Sequence, residues 1–283
     1  MRVWGEEAAD LERAGADVPA LGQLEDALAA EVGGLPAGVA AVDAHVHLGR
    51  DADGHRLGPE ALLDDLARWG IARAVCFAPN DPGADGQFAE ANAAVLAAAA
   101  GSGGRIVPFC RVDPSRPGAA AAIEGAAAGG ARGLKLHPVA QRFRPEDPAV
   151  AAVVRDATAR GWPVTIHAGF GARPLAGPLG ELLDAVPGAR LVLAHAGRGD
   201  ARAIARGVAI RPGVMLDTSL AALADLVALP PERLLFGSDR PYGEHGTALL
   251  LVARAARCAG WSGDQVAAVL GGNAAALLDG AAP

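Results

Sequence analysis

The stretch that decides the fold is Asp43-Ala44-His45-Val46-His47, which closes the short apolar run Val39-Ala40-Ala41-Val42. A short apolar run with β-branched members predicts a buried parallel strand. Side chains alternate along a strand, so His45 and His47 share a face and lie about 6–7 Å apart along it. Imidazole is a common ligand for zinc. Two imidazoles on one face therefore indicate either a metal site or two strand-end residues bonded to loop backbone.

The pattern of an apolar run followed by a helical stretch repeats along residues 39–283. The eight strand candidates are Val39–His47, Ala72–Ala78, Ile106–Val112, Gly133–His137, Pro163–His167, Leu191–His195, Val214–Thr218 and Leu234–Ser238. Strands that alternate with helices predict an α/β fold, here a single (β/α)₈ TIM barrel. Residues 1–38 have helical spacing interrupted by glycine and proline, which predicts a short helical N-terminal extension before the barrel.

Composition narrows the function class. The net charge of −7 argues against a nucleic-acid surface, because phosphate binding needs a basic face. The N-terminus is acidic and lacks an apolar core segment, and no apolar stretch is long enough to span a bilayer. Three widely spaced cysteines fit a reducing compartment. We expect a soluble cytoplasmic protein that acts on a small molecule, with no nucleic-acid or membrane partner.

Chemically active residues follow several of the predicted strands. They are His45, His47, Lys135, His137, His167, His195, Asp217 and Asp239. The carboxyl ends of barrel strands form one rim, where the active sites of such barrels lie. Five of the seven histidines fall at this rim, together with carboxylates. This donor set predicts a metal site, with zinc favoured and manganese or iron as alternatives.

Lys135 is the only lysine of the chain, and the other 24 basic residues are arginine. Arginine is always charged, whereas lysine can lose its proton and become a nucleophile or be modified. The alternative is the chance survival of a surface lysine. Because Lys135 also ends a predicted strand, we expect it to have a functional role.

Other polar residues near the rim are open to two interpretations. Four arginines lie near strand ends or in their loops: Arg111, Arg173, Arg198 and Arg240. We expect solvated loop arginines, with a bidentate grip on a substrate carboxylate as the alternative. His55 and His245 are expected at the surface. Asp217 is expected either to orient a ligand or to cap a helix.

Several of these motifs together resemble the amidohydrolase superfamily, and more closely its amidohydrolase-related branch, often called family 2. The resemblance spans about residues 39–280. It is carried by Asp43-Ala44-His45-Val46-His47, His167-Ala168-Gly169, His195-Ala196-Gly197 and Phe236-Gly237-Ser238-Asp239-Arg240-Pro241. It implies a metal-dependent hydrolase, although some members of this branch are carboxylate decarboxylases or lactonases.

The resemblance also implies roles for individual residues. The implied metal ligands are His45, His47, His167 and Asp239, with Asp239 also the general base toward water activated by the metal. His195 resembles a histidine that binds a second ion or acts on the substrate. The Lys135 segment looks like that of two-metal members such as dihydroorotases, whose lysine is carboxylated and bridges both ions. The single-metal decarboxylases typically lack this lysine, so a carboxylated bridge, a charged substrate ligand and a structural role all stay open for Lys135.

The expected function is hydrolysis of an amide, lactone or ester bond in a small, carboxylated molecule. Water activated by one or two divalent ions would attack the bond, with Asp239, His195 and Lys135 as the catalytic candidates. The alternative is a metal-dependent decarboxylase of a small aromatic or dienoic acid. A metal-binding barrel without catalysis is the third hypothesis. The oligomeric state is open, with a homodimer as the common default.

Overall fold

The computed structural model describes residues 23, 26–27, 30–33, 38–80, 87–169, 171 and 174–280. The described residues of the segment 23–32 are helical, and Glu31 forms ion pairs with Arg254 and Arg257. Most of residues 1–37 lie outside the described residues, so the division at residue 38 stays a prediction. Arg173 also lies outside the described residues.

The described chain alternates strands and helices. The strands are β1 (Ala41–His47), β2 (Gly49–Arg50), β3 (Arg56–Leu57), β4 (Ile71–Phe77), β5 (Ile106–Pro108), β6 (Cys110–Arg111), β7 (Leu134–Leu136), β8 (Val164–Ile166), β9 (Leu191–Leu193), β10 (Val214–Asp217) and β11 (Leu234–Leu235). The helices are α1 (Pro59–Arg68), α2 (Ala89–Gly101), α3 (Ala119–Ala128), α4 (Pro138–Gln141), α5 (Pro148–Ala159), α6 (Ala176–Ala185), α7 (Ala201–Gly207), α8 (Leu223–Val227), α9 (His245–Ala259), α10 (Gly263–Ala267) and α11 (Asn273–Leu278).

The strands close into a parallel barrel, which confirms the predicted TIM-barrel fold. One run of hydrogen-bonded strands has the order β1-β4-β5, and a second has the order β6-β7-β8-β9-β10-β11. Phe109 lies between β5 and β6. Its N–H donates to the carbonyl oxygen of Cys76 on one side, whereas the N–H of Cys110 donates to the carbonyl oxygen of Gly133 on the other. A parallel bridge between Val46 and Arg240 closes the barrel. The antiparallel β2–β3 hairpin was not predicted.

Burial explains why these segments form the barrel. β1 and β7 are buried at every position, as expected for strands covered by side chains inside the barrel and by helices outside. The helix α1 shows the outer layer. Pro59 starts it, and Leu62 and Leu66, four residues apart, are buried on its inner face. None of the helices that the structure describes is both long and apolar enough to cross a bilayer.

Strands β7 and β9 end before the histidines that were predicted to close them, since β7 ends at Leu136 and β9 ends at Leu193. His137 is the N-cap of α4, and its Nδ1 accepts a hydrogen bond of 3.2 Å from the N–H of Ala140. His195 has a left-handed backbone, with φ 59°, inside a short 3₁₀ turn after β9. The chain therefore leaves strand geometry at the rim, and these turns set the direction of the imidazoles.

Candidate metal centre

Three donor atoms from opposite ends of the chain converge at the carboxyl-terminal rim of the barrel. Nε2 of His45 lies 3.3 Å from Nε2 of His47. Each of these nitrogens lies 3.2 Å from Oδ1 of Asp239. All three residues are buried, and they are the described histidine, cysteine and acidic residues whose donor atoms gather closely enough for one ion.

The backbone of β1 places these donors. The N–H of Asp239 donates to the carbonyl oxygen of His45 at 2.8 Å, and the N–H of His47 donates to that of Arg240 at 2.7 Å. Asp239 itself adopts a left-handed conformation, with φ 61°. A non-glycine residue in this region costs free energy and persists only where its surroundings hold it. The closure of the barrel therefore fixes the carboxylate against the two imidazoles.

Asp43 links β1 to the segment that follows β11. Its Oδ1 accepts hydrogen bonds of 3.0 Å from the N–H groups of both His45 and Ser238. Its Oδ2 accepts a hydrogen bond from the hydroxyl of Ser238 and lies 3.0 Å from Nε2 of His245. One buried carboxylate thus holds the first strand, the last strand end and the start of α9 in register.

Asp217 sets the orientation of His45. Its Oδ2 lies 2.7 Å from Nδ1 of His45, and its Oδ1 accepts hydrogen bonds from the N–H groups of His195 and Ser219. A carboxylate can only accept here, so Nδ1 of His45 carries the proton of the neutral ring and Nε2 keeps its lone pair for the centre. The two roles expected for Asp217 were orientation of a ligand and capping of a helix. Its contact with His45 favours the first.

Lys135 joins this group from β7. Its Nζ lies 3.1 Å from Nε2 of His45 and 4.2 Å from the centroid of the Phe77 ring, and its side chain is fully buried. Burial lowers the pKa of Lys135 to about 7, against the opposing effect of Asp239 and Asp217. A large share of the amine is therefore neutral near neutral pH, as nucleophilic or modified lysines must be.

His195, His167 and His137 form a second group beside the first. Nε2 of His195 lies 3.2 Å from Nδ1 of His167, and the rings of His167 and His137 stack with centroids 4.0 Å apart. The ring of His195 lies 5.1 Å from that of His45, which connects the two groups. His167, which the resemblance implies as a ligand, therefore lies next to the three converging donors rather than among them.

In the second group, the hydrogen bonds of His195 determine which of its ring nitrogens carries the proton. Nδ1 of His195 lies 3.1 Å from the carbonyl oxygen of Ser219, which can only accept, so this nitrogen carries the proton of the neutral ring. Nε2 is then unprotonated. Burial lowers the pKa of His195, which favours the neutral ring. This arrangement suits binding of a cation or acceptance of a proton.

The three converging donors fit a divalent cation. Ligands about 2.0–2.1 Å from a tetrahedral ion lie about 3.3–3.4 Å apart, close to the separations of 3.2 and 3.3 Å found here. Oδ1 of Asp239 is buried and makes no well-aligned hydrogen bond with the described residues, although both imidazole nitrogens lie 3.2 Å from it. A buried carboxylate oxygen without a hydrogen bond is costly, and a bound cation would remove that cost.

The charges around the centre agree with this fit. Burial lowers the pKa of His47 to about 3, so its ring is neutral and able to bind a metal. Burial alone would raise the pKa of Asp239, but the imidazoles of His45 and His47 hold it well below its usual range. Burial and Lys135 oppose a charge on His45, yet Asp217 and Asp239 raise its pKa, so its ring tends to hold a second proton at Nε2 that a bound cation would displace. The carboxylates therefore favour positive charge at this point.

Two sequence expectations were wrong. His245 was expected at the surface, but it is the first residue of α9 and is buried against Asp43. Arg111 was expected to be solvated, but it is fully buried inside the barrel. Both errors have the same cause, since the local sequence marks a loop or strand end but does not reveal which rim segments fold inward. Of the other described arginines near the rim, Arg198 is exposed and Arg240 is paired with Asp65 and Glu244.

The family model described as Amidohydrolase matches residues 42–280. The chain belongs to the amidohydrolase family. The match covers the barrel strands apart from Ala41 and includes every residue of the centre, so it confirms the family to which the sequence motifs point. No curated protein matches this chain.

Solved structures share the fold of this chain at low sequence identity. The IDCase of Metarhizium anisopliae is 18% identical, with a TM-score of 0.70, 86% of this chain covered and 98% of that chain. A zinc-bound amidohydrolase from Burkholderia multivorans is 20% identical, with a TM-score of 0.66 and coverages of 84% and 99%. The 2,6-dihydroxybenzoate decarboxylase from Rhizobium is 14% identical, with a TM-score of 0.67 and coverages of 84% and 98%. The likeness extends over nearly the whole of each relative.

Proposed function

We propose that this protein is a metal-dependent hydrolase that cleaves an amide, lactone or ester bond of a small molecule. The observation that carries the proposal is the convergence of His45, His47 and Asp239 on one point, with Nζ of Lys135 3.1 Å from Nε2 of His45. His45, His47 and Asp239 would hold a divalent cation, with zinc the first choice, which would polarise the scissile carbonyl and lower the pKa of attacking water to about 7.

Asp239 and Asp217 have separate roles in the proposed reaction. Asp239 accepts the proton of the attacking water, because a carboxylate has a second oxygen when one is turned to the imidazoles. Asp217 holds the proton on Nδ1 of His45 and so keeps Nε2 in its binding form. Burial of the centre strengthens each of these electrostatic interactions, since little water is present to screen them.

Lys135 favours hydrolysis over the alternatives. Carboxylation of its neutral amine by carbon dioxide, with release of one proton, would place a carbamate anion beside His45 and would supply a ligand to a second ion. His195 would then hold that second ion through its unprotonated Nε2, with His167 beside it. A charged amine that binds the substrate and a purely structural lysine are the competing roles for this residue.

A decarboxylase of a small aromatic or dienoic acid is the second candidate. It is favoured by a specific feature, which is that among the described residues one group of three donors, and not two, converges tightly. One ion and an unmodified lysine suit that chemistry better than a bridged pair. The fold likeness to decarboxylases is compatible with this candidate but identifies no reaction.

Metal analysis and a substrate screen separate these candidates. Purified protein would be analysed for metal per chain and, after equilibration of the folded protein with ¹³C-labelled carbon dioxide, for a carbamate signal of Lys135 by NMR. A panel of lactones, amides and aromatic acids would then be assayed for acid release and for carbon dioxide release. Two ions with hydrolytic turnover support the proposal, whereas one ion with carbon dioxide release supports the lyase. A protein that binds no divalent metal contradicts both.

The substitution Lys135→Arg tests the bridge directly. Arginine keeps the positive charge but cannot be carboxylated. We expect the variant to lose the second ion and most hydrolytic activity. Unchanged metal content and turnover would show that the two-metal form of the proposal is wrong.

A further inference from the structure

Arg111 lies inside the barrel next to the metal centre. It pairs with Lys135 in the parallel register of β6 and β7, so the two side chains project to the same face of the sheet. The side chain of Arg111 is fully buried, as is that of Lys135. Adjacent strands lie about 4.7–4.9 Å apart. The guanidinium is therefore anchored one strand away from the residue that contacts His45.

The position of this guanidinium is fixed by neighbouring groups. Its Nη1 donates a hydrogen bond of 3.2 Å to the carbonyl oxygen of Ala78, and its Cζ lies 4.5 Å from the centroid of the Phe88 ring. The backbone of Arg111 is held by Asn92, whose Oδ1 accepts from its N–H at 2.9 Å and whose Nδ2 donates to its carbonyl at 2.8 Å. The plane and the direction of the side chain are thus set before any ligand arrives.

One edge of the guanidinium has no partner in the part of the chain that the structure describes. Nε and Nη2 are both buried, and neither has a hydrogen-bond partner among the described residues. These two nitrogens form the side edge of the group, with N–H bonds that run parallel and match the two oxygens of a carboxylate. A buried charged donor without an acceptor costs free energy, so we expect this edge to bind an anion.

The other described arginines near the rim are used differently. Both terminal nitrogens of Arg240 are bonded, one to Asp65 at 2.6 Å and the other to Glu244 at 2.7 Å. Arg198 is exposed, and its Nη1 donates to the carbonyl oxygen of Leu220 at 2.7 Å. Arg111 therefore combines burial, fixed orientation and an unfilled pair of donors in a way that these two do not.

We propose that Arg111 is the residue that recognises the substrate, by binding a carboxylate of a small molecule through its Nε–Nη2 edge. This inference rests on the proposed function and names the substrate class. A carboxylate carries one negative charge, which matches the single charge of Arg111. A phosphate monoester carries about 1.5 to 2 negative charges near pH 7 and fits less well beside the buried Asp217 and Asp239.

The location of the anchor limits the size of the ligand. Arg111 and Lys135 lie on neighbouring strands, so a carboxylate held by Arg111 places the reacting bond only a few atoms away. Arg111 and His45 are both closed to solvent. Rim side chains must therefore move to admit a ligand, and Phe88 is the ring that lies on the guanidinium. The short separation between Arg111 and the centre favours a compact carboxylic acid derivative.

Binding measurements on the whole protein test the inference without reference to turnover. The probes are acetate, benzoate and fumarate, each compared with its primary amide, which has nearly the same shape and no charge. Affinities would be measured by calorimetry on metal-loaded protein and again after removal of metal by a chelator, because carboxylates also bind metal ions. At least one carboxylate is expected to bind the wild type with Kd below about 10 mM and at least about tenfold more tightly than its amide.

Arg111→Met removes the charge and the edge while keeping an unbranched apolar side chain. We expect it to weaken carboxylate binding at least about tenfold, with and without metal, and to leave amide binding unchanged. Arg105→Met is the matched control. Arg105 likewise donates to backbone carbonyl oxygens, in its case those of Leu63 and Ile71, but it lies at the amino ends of the strands. The control should bind the probes as the wild type does.

Arg111→Lys keeps the inference testable if the methionine variant does not fold. Lysine retains the charge but loses the parallel pair of donors, so binding is again expected to fall about tenfold. Failure of every carboxylate to bind the wild type, or equal binding by the wild type and a folded Arg111 variant, would overturn the inference. Metal content distinguishes the two proposals. If the protein binds metal normally but substitution of Arg111 does not change carboxylate binding, only the role of Arg111 is refuted.

Discussion

At the scale of single residues, the centre depends on charges that water does not screen. Asp239 is the clearest case, because its carboxylate lies 3.2 Å from two imidazole nitrogens and is almost entirely buried. Asn has nearly the same shape as Asp but no negative charge. Substitution at this residue therefore separates the effect of charge from the effect of packing.

We expect Asp239→Asn to reduce turnover of the substrate found by the screen at least about 100-fold, since a general base contributes 10²–10⁴-fold. Metal affinity should fall as well, because a neutral amide oxygen attracts a cation less than a carboxylate does. Kinetics and metal titration measure both. Asp64→Asn, on the exposed face of α1, is the control and should change neither. Near-normal turnover of Asp239→Asn would remove Asp239 from the role of base.

Cys110 provides a pH-dependent prediction that does not involve the centre. Burial raises the pKa of its thiol to about 12. The folded state therefore keeps the proton at pH values where the unfolded state, with a pKa of about 8.5, has lost it. The stabilisation is complete below the ordinary thiol pKa and is lost as the pH rises toward the folded value.

The free energy of unfolding should thus fall by about 2 kcal/mol more between pH 8 and pH 10 in the wild type than in Cys110→Ala. Denaturant unfolding at the two pH values measures the difference. Cys258→Ala is the control, because it removes an exposed thiol in place of a buried one. Equal pH dependence in the wild type and Cys110→Ala would contradict the prediction.

At the scale of elements, strand ends determine where the imidazoles point. The segment after β8 passes close to the one after β9, and Gly169 allows this approach. A Cβ atom at residue 169 would collide with Cδ2 of His195. The neighbouring helix α6 contains Gly177, where an added Cβ would meet nothing within 4 Å. These two glycines give a matched pair of substitutions.

Gly169→Ala is expected to lower the melting temperature and to displace His195, with a loss of second-ion binding if His195 is a ligand. Gly177→Ala should instead leave stability unchanged or raise it by up to about 1 kcal/mol, because alanine has the higher helix propensity. Thermal unfolding and metal titration of both variants make the comparison. If Gly169→Ala is as stable as Gly177→Ala and binds metal equally, then His195 does not occupy the position described.

At the scale of the whole molecule, a bound cation joins the first and last strands of the barrel. His45 and His47 come from β1, whereas Asp239 follows β11. Any ligand that binds the folded state alone stabilises it according to its concentration relative to Kd. Closure of the barrel and binding of metal should therefore be thermodynamically linked.

Addition of Zn²⁺ at 100 times its Kd to chelator-stripped protein should stabilise the fold by about 2.7 kcal/mol, which corresponds to a rise in Tm of about 5–10 °C for a domain of this size. His47→Ala removes one of the three donors and should abolish most of the rise. His55→Ala is the control, since His55 is exposed on the β2–β3 hairpin loop. An unchanged Tm on addition of Zn²⁺ to the wild type would contradict the proposed centre.

The sequence by itself determined the barrel and the residues available at its rim. The alternation of His45 and His47 on one face of a strand is a local property, because the side-chain period of a strand is two residues. The repeated strand–helix pattern is also local, and it predicted every strand of the barrel to within a few residues. The motifs at the rim were specific enough to indicate the family.

Only the tertiary structure decided which of those residues meet. Asp43 and Ser238 are 195 residues apart in the chain, and their hydrogen bonds exist only because the barrel closes there. The same closure brought Asp239 to His45 and His47 and left His167 with His195. It also carried Arg111 and His245 into the interior, where their environments differ from those that their local sequences suggest. Periodicity depends on near neighbours along the chain, whereas convergence and burial depend on contacts between distant segments that no single stretch contains.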